Sequence, residues 1–165
     1  MSKLIDIKLL VVDVDGVMTD GTLTYGKNNQ NLRSFNVRDG IGIDLLHANK
    51  IHVAIISGGN DSGIKERAQD LKIKYFNTKV RNKLKKLMSL QKRLNISVLE
   101  TAYIGDDIND LVVKPSVGIL MCPKDAHESF KKKADIILNN NGGQGVVREI
   151  SDKILRDKKI CIKSQ

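Results

Sequence analysis

The chain has 165 residues, of which 41% are hydrophobic and 28% are charged. This length and balance are typical of one globular domain that buries a core, and no apolar run approaches the roughly 20 residues of a membrane span. The composition therefore argues against a membrane protein and predicts a single domain over residues 1–165. The 28 Lys and Arg residues outnumber the 19 acidic residues, and the net charge of +9 favours an anionic partner.

The N-terminal segment and the cysteines both favour the cytoplasm. The first apolar stretch contains Asp6, and no small-residue cleavage site follows it, in contrast to a secretory signal. Cys122 and Cys161 are far apart and form no CxxC spacing, so the sequence predicts neither a disulfide framework nor a zinc site. We therefore expect a cytoplasmic protein.

Short apolar runs alternate with helical patterns along the chain. The runs are rich in β-branched residues and apolar on both faces, which is typical of buried parallel strands. This alternation predicts an α/β fold, a doubly wound, Rossmann-like parallel sheet with helices on both faces. The predicted strands are residues 9–15, 52–57, 73–76, 101–106, 117–121 and 135–138. The predicted helices are residues 40–50, 60–72, 79–93, 108–114, 124–134 and 145–158.

One segment interrupts this alternation. Residues 21–36, GTLTYGKNNQNLRSFN, alternate in polarity around a Gly-Lys-Asn-Asn turn. That pattern predicts a β-hairpin instead of a crossover helix. The hairpin is expected to project beside the end of the first strand, in place of a cap domain.

The first predicted strand ends in two acidic residues, Asp13 and Asp15, before Gly16. Because residues i and i+2 of a strand point to the same side, we expect the two carboxylates to converge where the backbone turns. Ligands of open α/β sheets bind at such strand ends. Close carboxylates need a proton or a cation, which suits a general acid or a Mg²⁺ site. In the alternative interpretation, one aspartate caps a turn and the other is solvated.

Later predicted strands also end in polar groups. These groups are Ser57, Gly58 and Gly59 of SGG and Asp106, Asp107 and Asp110 of GDDIND, and Lys83 of the basic helix comes between them in the chain. A serine with two glycine amides suits phosphate oxygens. Each group also has an ordinary alternative: a turn serine, a surface lysine, or acidic residues at a helix N-terminus. Their occurrence in order at strand ends favours one phosphate and metal site.

Much of the positive charge lies in residues 79–93, where Leu84 and Leu87, followed by Leu94 just after the segment, recur at helical spacing with lysines between them. The segment is either the solvated face of a helix or a nucleic-acid stripe. No aromatic side chains are interleaved with the lysines, so the solvated face is favoured and no nucleic-acid partner is expected.

Four motifs, DVDG, Ser57, Lys83 and GDDIND, stand in the order found in the haloacid dehalogenase-like phosphatases, which the chain resembles over nearly its whole length. Further matches in DGVMTDGTLTY, FNVRDGIGI, RNK, AYIGDDIND and GGQGVVREI resemble the small, capless branch of that family. This branch includes the 3-deoxy-D-manno-octulosonate 8-phosphate and nonulosonate 9-phosphate phosphatases. The GGQG segment either folds near the site or only begins a helix.

The resemblance implies a role for each motif residue. Asp13 would be the nucleophile that forms an aspartyl-phosphate, and Asp15 would protonate the leaving oxygen and then activate water. Ser57, Gly58 and Lys83 would bind the phosphoryl oxygens. The implied cofactor is Mg²⁺.

The same resemblance implies the ligands of that ion. They would be Asp13, the backbone carbonyl of Asp15, and Asp106, with Asp107 or Asp110 in support.

The resemblance also suggests substrate contacts. Arg67 matches an arginine that contacts the sugar acid, although a helix-surface role stays open. Arg38 and Asp39 match the branch as well, but Asp39 could simply cap the following helix. The branch often carries a charged residue directly after the Ser/Thr-Gly pair, where this chain has Gly59. Similar proteins close their open site by forming a homotetramer, in which hairpin 21–36 would cover a neighbouring subunit's site.

The sequence thus predicts a Mg²⁺-dependent phosphatase acting on 3-deoxy-D-manno-octulosonate 8-phosphate, a small anionic phosphosugar of lipopolysaccharide biosynthesis. A nonulosonate 9-phosphate is the alternative substrate. A phosphoacceptor receiver domain is a second class, but its acidic pair and phosphorylated aspartate would come in a different order. An inactive relative that only binds sugar phosphates or nucleic acid is a third, and the intact carboxylates argue against it.

Overall fold

Six parallel strands form the centre of the fold in the computed structural model, which describes residues 4–27, 31–60 and 63–160. In chain order, the strands of the structure are β1 (Leu9–Val12), β2 (Thr24–Tyr25), β3 (Asn31–Leu32), β4 (His52–Ile56), β5 (Tyr75–Asn77), β6 (Thr101–Ile104), β7 (Ile119–Cys122) and β8 (Ile136–Ile137). The central sheet has the order β5-β4-β1-β6-β7-β8, and all its pairings are parallel. The predicted doubly wound parallel sheet is confirmed.

Helices cover both faces of the sheet. They are α1 (Val37–Ala48), α2 (Ile64–Asp70), α3 (Lys83–Leu94), α4 (Glu128–Lys131) and α5 (Val146–Asp157), with 3₁₀ turns at Leu4–Asp6 and Ile108–Ser116. The longer 3₁₀ segment replaces the predicted helix 108–114 and contains Pro115, which has no N–H to donate. The predicted helix 124–134 is reduced to α4. No helix in the described ranges is long and apolar enough to cross a membrane.

Alternate residues of each strand face opposite halves of the core. In β1, Leu10 and Val12 pack with residues of α1, α2 and α5, whereas Leu9 and Val11 pack with residues of α3 and α4. The central strands are therefore buried on both faces. This burial explains why they have continuous apolar sequences instead of alternating ones.

A short hairpin lies between β1 and α1. β2 and β3 pair antiparallel, with Thr24 opposite Leu32 and Tyr25 opposite Asn31. The predicted hairpin of residues 21–36 is confirmed, although its tip, residues 28–30, lies outside the described residues. The part of this connection that the structure describes contains no cap domain, as predicted.

The topology brings three strand ends together. β1 lies between β4 and β6, so the residues that follow Val12, Ile56 and Ile104 emerge side by side. In open α/β sheets this reversal of strand order is the usual ligand site. The extent of a single domain over residues 1–165 stays a prediction, because residues 1–3 and 161–165 lie outside the described residues.

Candidate active site

The loop after β1 carries the first two acidic residues. β1 ends at Val12, and after Asp13 the chain turns through a tight loop, Val14–Met18. The N–H of Asp13 donates to the carbonyl of Ile104 at 3.0 Å, which ties the loop to β6. Asp13 and Asp15 were predicted to occupy alternate positions at the end of the strand. In the structure both lie in the loop after it. Their side chains make different contacts.

Gly16 allows another acidic residue to approach this loop. Its φ of +89° lies in the left-handed region that glycine adopts without steric cost. A Cβ atom at this position would overlap the carboxylate of Asp106, which follows the end of β6. The missing side chain of Gly16 therefore gives Asp106 its place beside the loop.

Three carboxylates form a cluster at this strand edge. Asp13, Asp106 and Asp110 each offer one oxygen, and these atoms all lie within 4.8 Å of one another. Burial and the neighbouring Asp110 carboxylate raise the pKa of Asp13 well above its ordinary value. Burial and Asp110 likewise raise the pKa of Asp106 to about 7. The cluster thus contains like-charge repulsion that a proton or a cation relieves.

Lys83 supplies the positive charge beside this cluster. It is the first residue of α3 and only 4% exposed. Its Nζ lies 2.9 Å from Asp13 Oδ1 and donates to Asp110 Oδ1 at 2.6 Å. Burial opposes the lysine charge, but the two carboxylates outweigh it and raise the pKa of Lys83. The Tyr103 hydroxyl also donates to Asp110 Oδ1 at 2.6 Å, so two donors hold Asp110.

The cluster fits a hard divalent cation such as Mg²⁺. Asp13 Oδ1 is buried and lies 2.9 Å from Lys83 Nζ, but accepts no hydrogen bond of good geometry. Three carboxylates face the single ammonium of Lys83, so the group has an excess of negative charge. Carboxylate oxygens are the ligands that Mg²⁺ prefers. The charge excess and the poorly aligned contact of Asp13 Oδ1 both suit an added cation.

The loop after β4 places a hydroxyl next to Asp15. Ser57 is buried, and its Oγ accepts the N–H of Gly59 at 3.0 Å. The N–H of Lys79 donates to the Gly59 carbonyl at 2.8 Å and that of Val80 to the Ser57 carbonyl at 3.0 Å, so the following loop supports this turn. A Cβ atom on Gly59 would lie 2.7 Å from Asp15 Oδ2 and 3.3 Å from Ser57 Oγ. The predicted Ser57 and Asp15 therefore both border the space above Gly59.

Arg33 is a site residue that the sequence interpretation missed. It follows β3 of the hairpin, and its Nε and Nη2 donate to Asp15 Oδ1 at 2.7 Å and Oδ2 at 3.1 Å. The Arg33 side chain is 1% exposed, against 27% for Asp15. The only sequence signal was an arginine in a hairpin expected to lie beside the end of β1. Nothing in the pattern showed which hairpin side chain points inward.

Comparison with known proteins identifies the family. A model of the haloacid dehalogenase-like hydrolases matches residues 73–150. The 3-deoxy-D-manno-octulosonate 8-phosphate phosphatase of Haemophilus influenzae is 40% identical over 154 residues, which cover 93% of this chain and 86% of that protein. The chain belongs to the haloacid dehalogenase-like hydrolases.

Solved structures of the same branch have the same fold. The 3-deoxy-D-manno-octulosonate 8-phosphate phosphatase of Yersinia pestis superposes with a TM-score of 0.92 at 38% identity, covering 94% of this chain and 84% of that one. The enzyme of Moraxella catarrhalis, in complex with magnesium, phosphate and KDO, has a TM-score of 0.91 at 34% identity, covering 95% and 90%. The predicted resemblance is confirmed, and the receiver-domain alternative is wrong.

Not every predicted site residue of this hydrolase joins the cluster. Asp107 is exposed, and its carboxylate accepts the N–H of Ile108 as a helix cap. Of the two acidic residues predicted to support the metal, the cluster therefore contains Asp110. This difference arises because Asp110 lies in the following 3₁₀ segment, which turns it back under the end of β6.

The two predicted substrate arginines also make other contacts. Arg67 Nη2 donates to the Asn36 carbonyl at 2.9 Å, and the Arg67 guanidinium lies 5.7 Å from the centre of the Phe35 ring. Arg38 is exposed, and its N–H donates to the Asn36 side chain, the N-cap of α1. Neither has a described contact with the carboxylate cluster, and their roles as substrate ligands stay predictions. Asp39, a possible cap, is buried and accepts the Arg148 N–H at 2.9 Å.

The GGQG segment packs against the loop of the hydrolase that carries Asp13. The N–H of Gly143 donates to the Val17 carbonyl at 2.9 Å, and a Cβ atom on Gly142 would overlap the Gly16 carbonyl. The sequence left open whether the segment folds near the site or only begins a helix. In the structure it does both, since it precedes α5 and contacts the loop of Asp13. It is the close backbone approach that requires glycine here.

Proposed function

We propose that the protein is a Mg²⁺-dependent phosphatase of 3-deoxy-D-manno-octulosonate 8-phosphate. The observation that carries this proposal is the buried Asp13 carboxylate, held 2.9 Å from Lys83 Nζ within a cluster of three carboxylates at the strand switch point. The relatives from Haemophilus influenzae and Yersinia pestis, which carry this activity in their names, support the substrate.

Two residues of the β1 loop perform the covalent steps. A carboxylate oxygen of Asp13 attacks phosphorus, while the bond from phosphorus to the sugar oxygen breaks and Asp15 gives that oxygen a proton. The product on the enzyme is an aspartyl-phosphate. In the second step Asp15 takes a proton from water, whose oxygen attacks phosphorus and releases inorganic phosphate together with the free Asp13 carboxylate.

Lys83, Ser57 and Gly58 hold the phosphoryl group. Lys83 offsets the charge between the Asp13 carboxylate and the incoming phosphate, which would otherwise repel each other. The Gly59 N–H is already bonded to Ser57 Oγ, whereas the Gly58 N–H has no acceptor within the described part of the chain. Gly58 and the Ser57 hydroxyl are therefore the donors assigned to phosphoryl oxygens.

Asp13, Asp106 and the backbone carbonyl of Asp15 are the proposed Mg²⁺ ligands, with Asp110 in support. When bound, the ion supplies positive charge to a phosphoryl group that gains negative charge in the transition state. The complex of the Moraxella catarrhalis relative with magnesium, phosphate and KDO supports this cofactor. The burial of Asp110 under two donors favours it over exposed Asp107 in the supporting role.

The assembly and location are proposals as well. We propose a homotetramer in which hairpin 21–36 covers a neighbouring subunit's site, and a cytoplasmic enzyme serving lipopolysaccharide biosynthesis. Exposed Tyr25 (75%) and Leu32 (57%) on the hairpin support an interface there. Light scattering coupled to size exclusion should give four chains for the wild type and fewer for Tyr25→Asp. If Tyr25→Asp remained a tetramer, the proposal that the hairpin forms the interface would be refuted.

Phosphate release tests the proposed activity. Octulosonate 8-phosphate, nonulosonate 9-phosphates and hexose phosphates are each assayed with Mg²⁺ and with EDTA, and Asp13→Asn is the blank. We expect selective, Mg²⁺-dependent turnover of octulosonate 8-phosphate. Preference for a nonulosonate would change the substrate within the same reaction. Release that is equal in EDTA would refute the proposed cofactor. Absent release from all of them would refute the proposed activity and favour an inactive binding protein.

A further inference from the structure

The contact between Arg33 and Asp15 links the hairpin to the catalytic loop, and the Arg33 side chain is 1% exposed. Two nitrogens of the guanidinium donate to the two oxygens of one carboxylate, at 2.7 and 3.1 Å. The remaining Nη1 donates to the Asn60 side chain at 3.4 Å. A guanidinium and carboxylate paired in this way fix each other's plane and distance, which a lysine cannot do.

Gly59 is the residue that leaves room for this pair. A Cβ atom at position 59 would lie 2.7 Å from Asp15 Oδ2 and 2.9 Å from Arg33 Nη2, closer than side-chain carbons normally approach. The φ of Gly59 is not in the left-handed region, so its backbone does not by itself require glycine. The space above Gly59 is instead filled by the paired side chains of Arg33 and Asp15.

We propose that Arg33 is a positioning residue for Asp15, and that Gly59 is glycine because the Arg33–Asp15 pair occupies the space of its side chain. The pair lies within one chain, so each subunit's own hairpin completes its own site, whatever the hairpin tip does in an assembly. Arg33 restricts the Asp15 carboxylate to one orientation beside the Asp13 loop. When Asp15 carries the proton for the leaving oxygen, that proton sits on Oδ2 in place of the 3.1 Å contact, and the shorter 2.7 Å contact of Arg33 Nε with Oδ1 keeps the orientation. Through the same contact, it holds the β3 end of the hairpin over the site.

This proposal rests on the proposed function, in which Asp15 moves the proton. A proton donor must keep its distance and direction to the leaving oxygen, and a displacement of about 1 Å can cost roughly 100-fold in rate. The buried Arg33 side chain contacts both oxygens of Asp15. Removal of the Arg33 guanidinium therefore leaves the Asp15 carboxylate free to rotate. The loss is expected in kcat more than in KM, because the described contacts of Arg33 are with Asp15 and Asn60 and the phosphoryl group is assigned to Lys83, Ser57 and Gly58.

The first test is kinetic and uses Arg33→Ala, Arg33→Lys and Gly59→Ala, with Arg156→Ala, an exposed arginine of α5, as the matched control. Arg33→Ala should lower kcat by about 10- to 100-fold with a smaller change in KM. Arg33→Lys should lose less activity than Arg33→Ala. The control, Arg156→Ala, should have the activity of the wild type. Gly59→Ala should lower kcat to a similar extent as Arg33→Ala. The double variant that combines Arg33→Ala with Gly59→Ala should have a kcat no lower than that of the slower single variant.

Two results would overturn the proposal: wild-type kcat in Arg33→Ala, or losses from Arg33→Ala and Gly59→Ala that multiply in the double variant. The second result would mean that Gly59 acts on the Ser57 turn and not through Arg33. Non-multiplying losses are the signature of a shared contact.

A stability cycle tests the pair without any substrate. Arg33→Ala, Asp15→Asn and their double variant are compared in thermal denaturation. Loss of the pair in either single variant should remove most of the same stabilisation, so the two falls in Tm should not add. Additive falls would refute the pairing. If the wild type turned over none of the phosphosugars, the proposed function would fail, while this cycle would still decide the contact.

Discussion

Replacement of Lys83 by methionine tests the balance of charge in the site. Methionine is unbranched like lysine, only slightly shorter and similar in helix propensity, but it has no ammonium. The change leaves Asp13, Asp106 and Asp110 within 4.8 Å of one another without the cation that lies 2.9 Å from Asp13 and 2.6 Å from Asp110. The variant therefore isolates the contribution of one buried positive charge.

The expected magnitude follows from the burial of the group. Removing one partner of a buried ion pair costs about 3–5 kcal/mol, because the remaining charge is left without compensation. For a chain of this size, 1 kcal/mol corresponds to roughly 2–4 °C, so the Tm of the metal-free Lys83→Met protein should fall by roughly 6–20 °C. Mg²⁺ should restore part of this loss because it supplies positive charge to the same carboxylates. Phosphatase activity should fall by about 100-fold or more, the usual cost of losing a preorganised charge.

The assay is thermal denaturation in EDTA and in Mg²⁺, followed by phosphate release. Lys85→Met is the matched control, since Lys85 lies on the same helix but is exposed. Equal Tm values for the two variants in EDTA would refute the argument that Lys83 stabilises the carboxylate cluster. A Lys83→Met protein with the activity of Lys85→Met would refute its role in phosphoryl binding.

Two further predictions concern the loop and the helix packing. Gly16→Ala should abolish Mg²⁺-dependent activity, because its Cβ atom would displace Asp106. The control, Gly21→Ala, has similar backbone strain at φ +79° but its Cβ atom meets no atom closer than 3.7 Å, so it should lose far less activity. Equal losses of activity in the two variants would indicate that backbone strain alone is responsible. Burial raises the pKa of Asp39 from 3.8 to about 6, although the Arg148 N–H opposes this shift. The stabilisation from its bound proton is then complete below about pH 4 and lost as the pH rises through about 6. Urea unfolding should therefore show the wild type losing stability relative to Asp39→Asn over this range, and parallel curves would contradict the prediction.

Much of the candidate site followed from position along the chain. Asp13, Ser57 and Asp106 each follow a buried apolar strand, and parallel strands present their carboxyl ends at one edge. Their approach could be predicted because the strands themselves were recognisable. Lys83 was predicted from its place at the start of a basic helix, and the structure brings its Nζ to Asp13.

Other contacts could not be predicted from the same patterns. Asp107 and Asp110 are equivalent carboxylates in the sequence, but only Asp110 is turned under β6 and held by Lys83 and Tyr103. That choice depends on the 3₁₀ path of the following segment, which a helical pattern does not distinguish from an α-helix. The contacts of Arg67 with Phe35 and Asn36 were not predicted either, while its expected role at the substrate stays a prediction.

The sequence by itself determined the parallel sheet, the hairpin and the order of the catalytic motifs, because apolar runs and strand-end residues are local features of the chain. Only the tertiary structure decided that Arg33 pairs with Asp15 above Gly59, three positions far apart in sequence. No local pattern records such a contact, since it depends on how the hairpin folds back over the sheet. The reason for a glycine at position 59 is visible only in the folded chain, where the side chains of Arg33 and Asp15 occupy the space beside it.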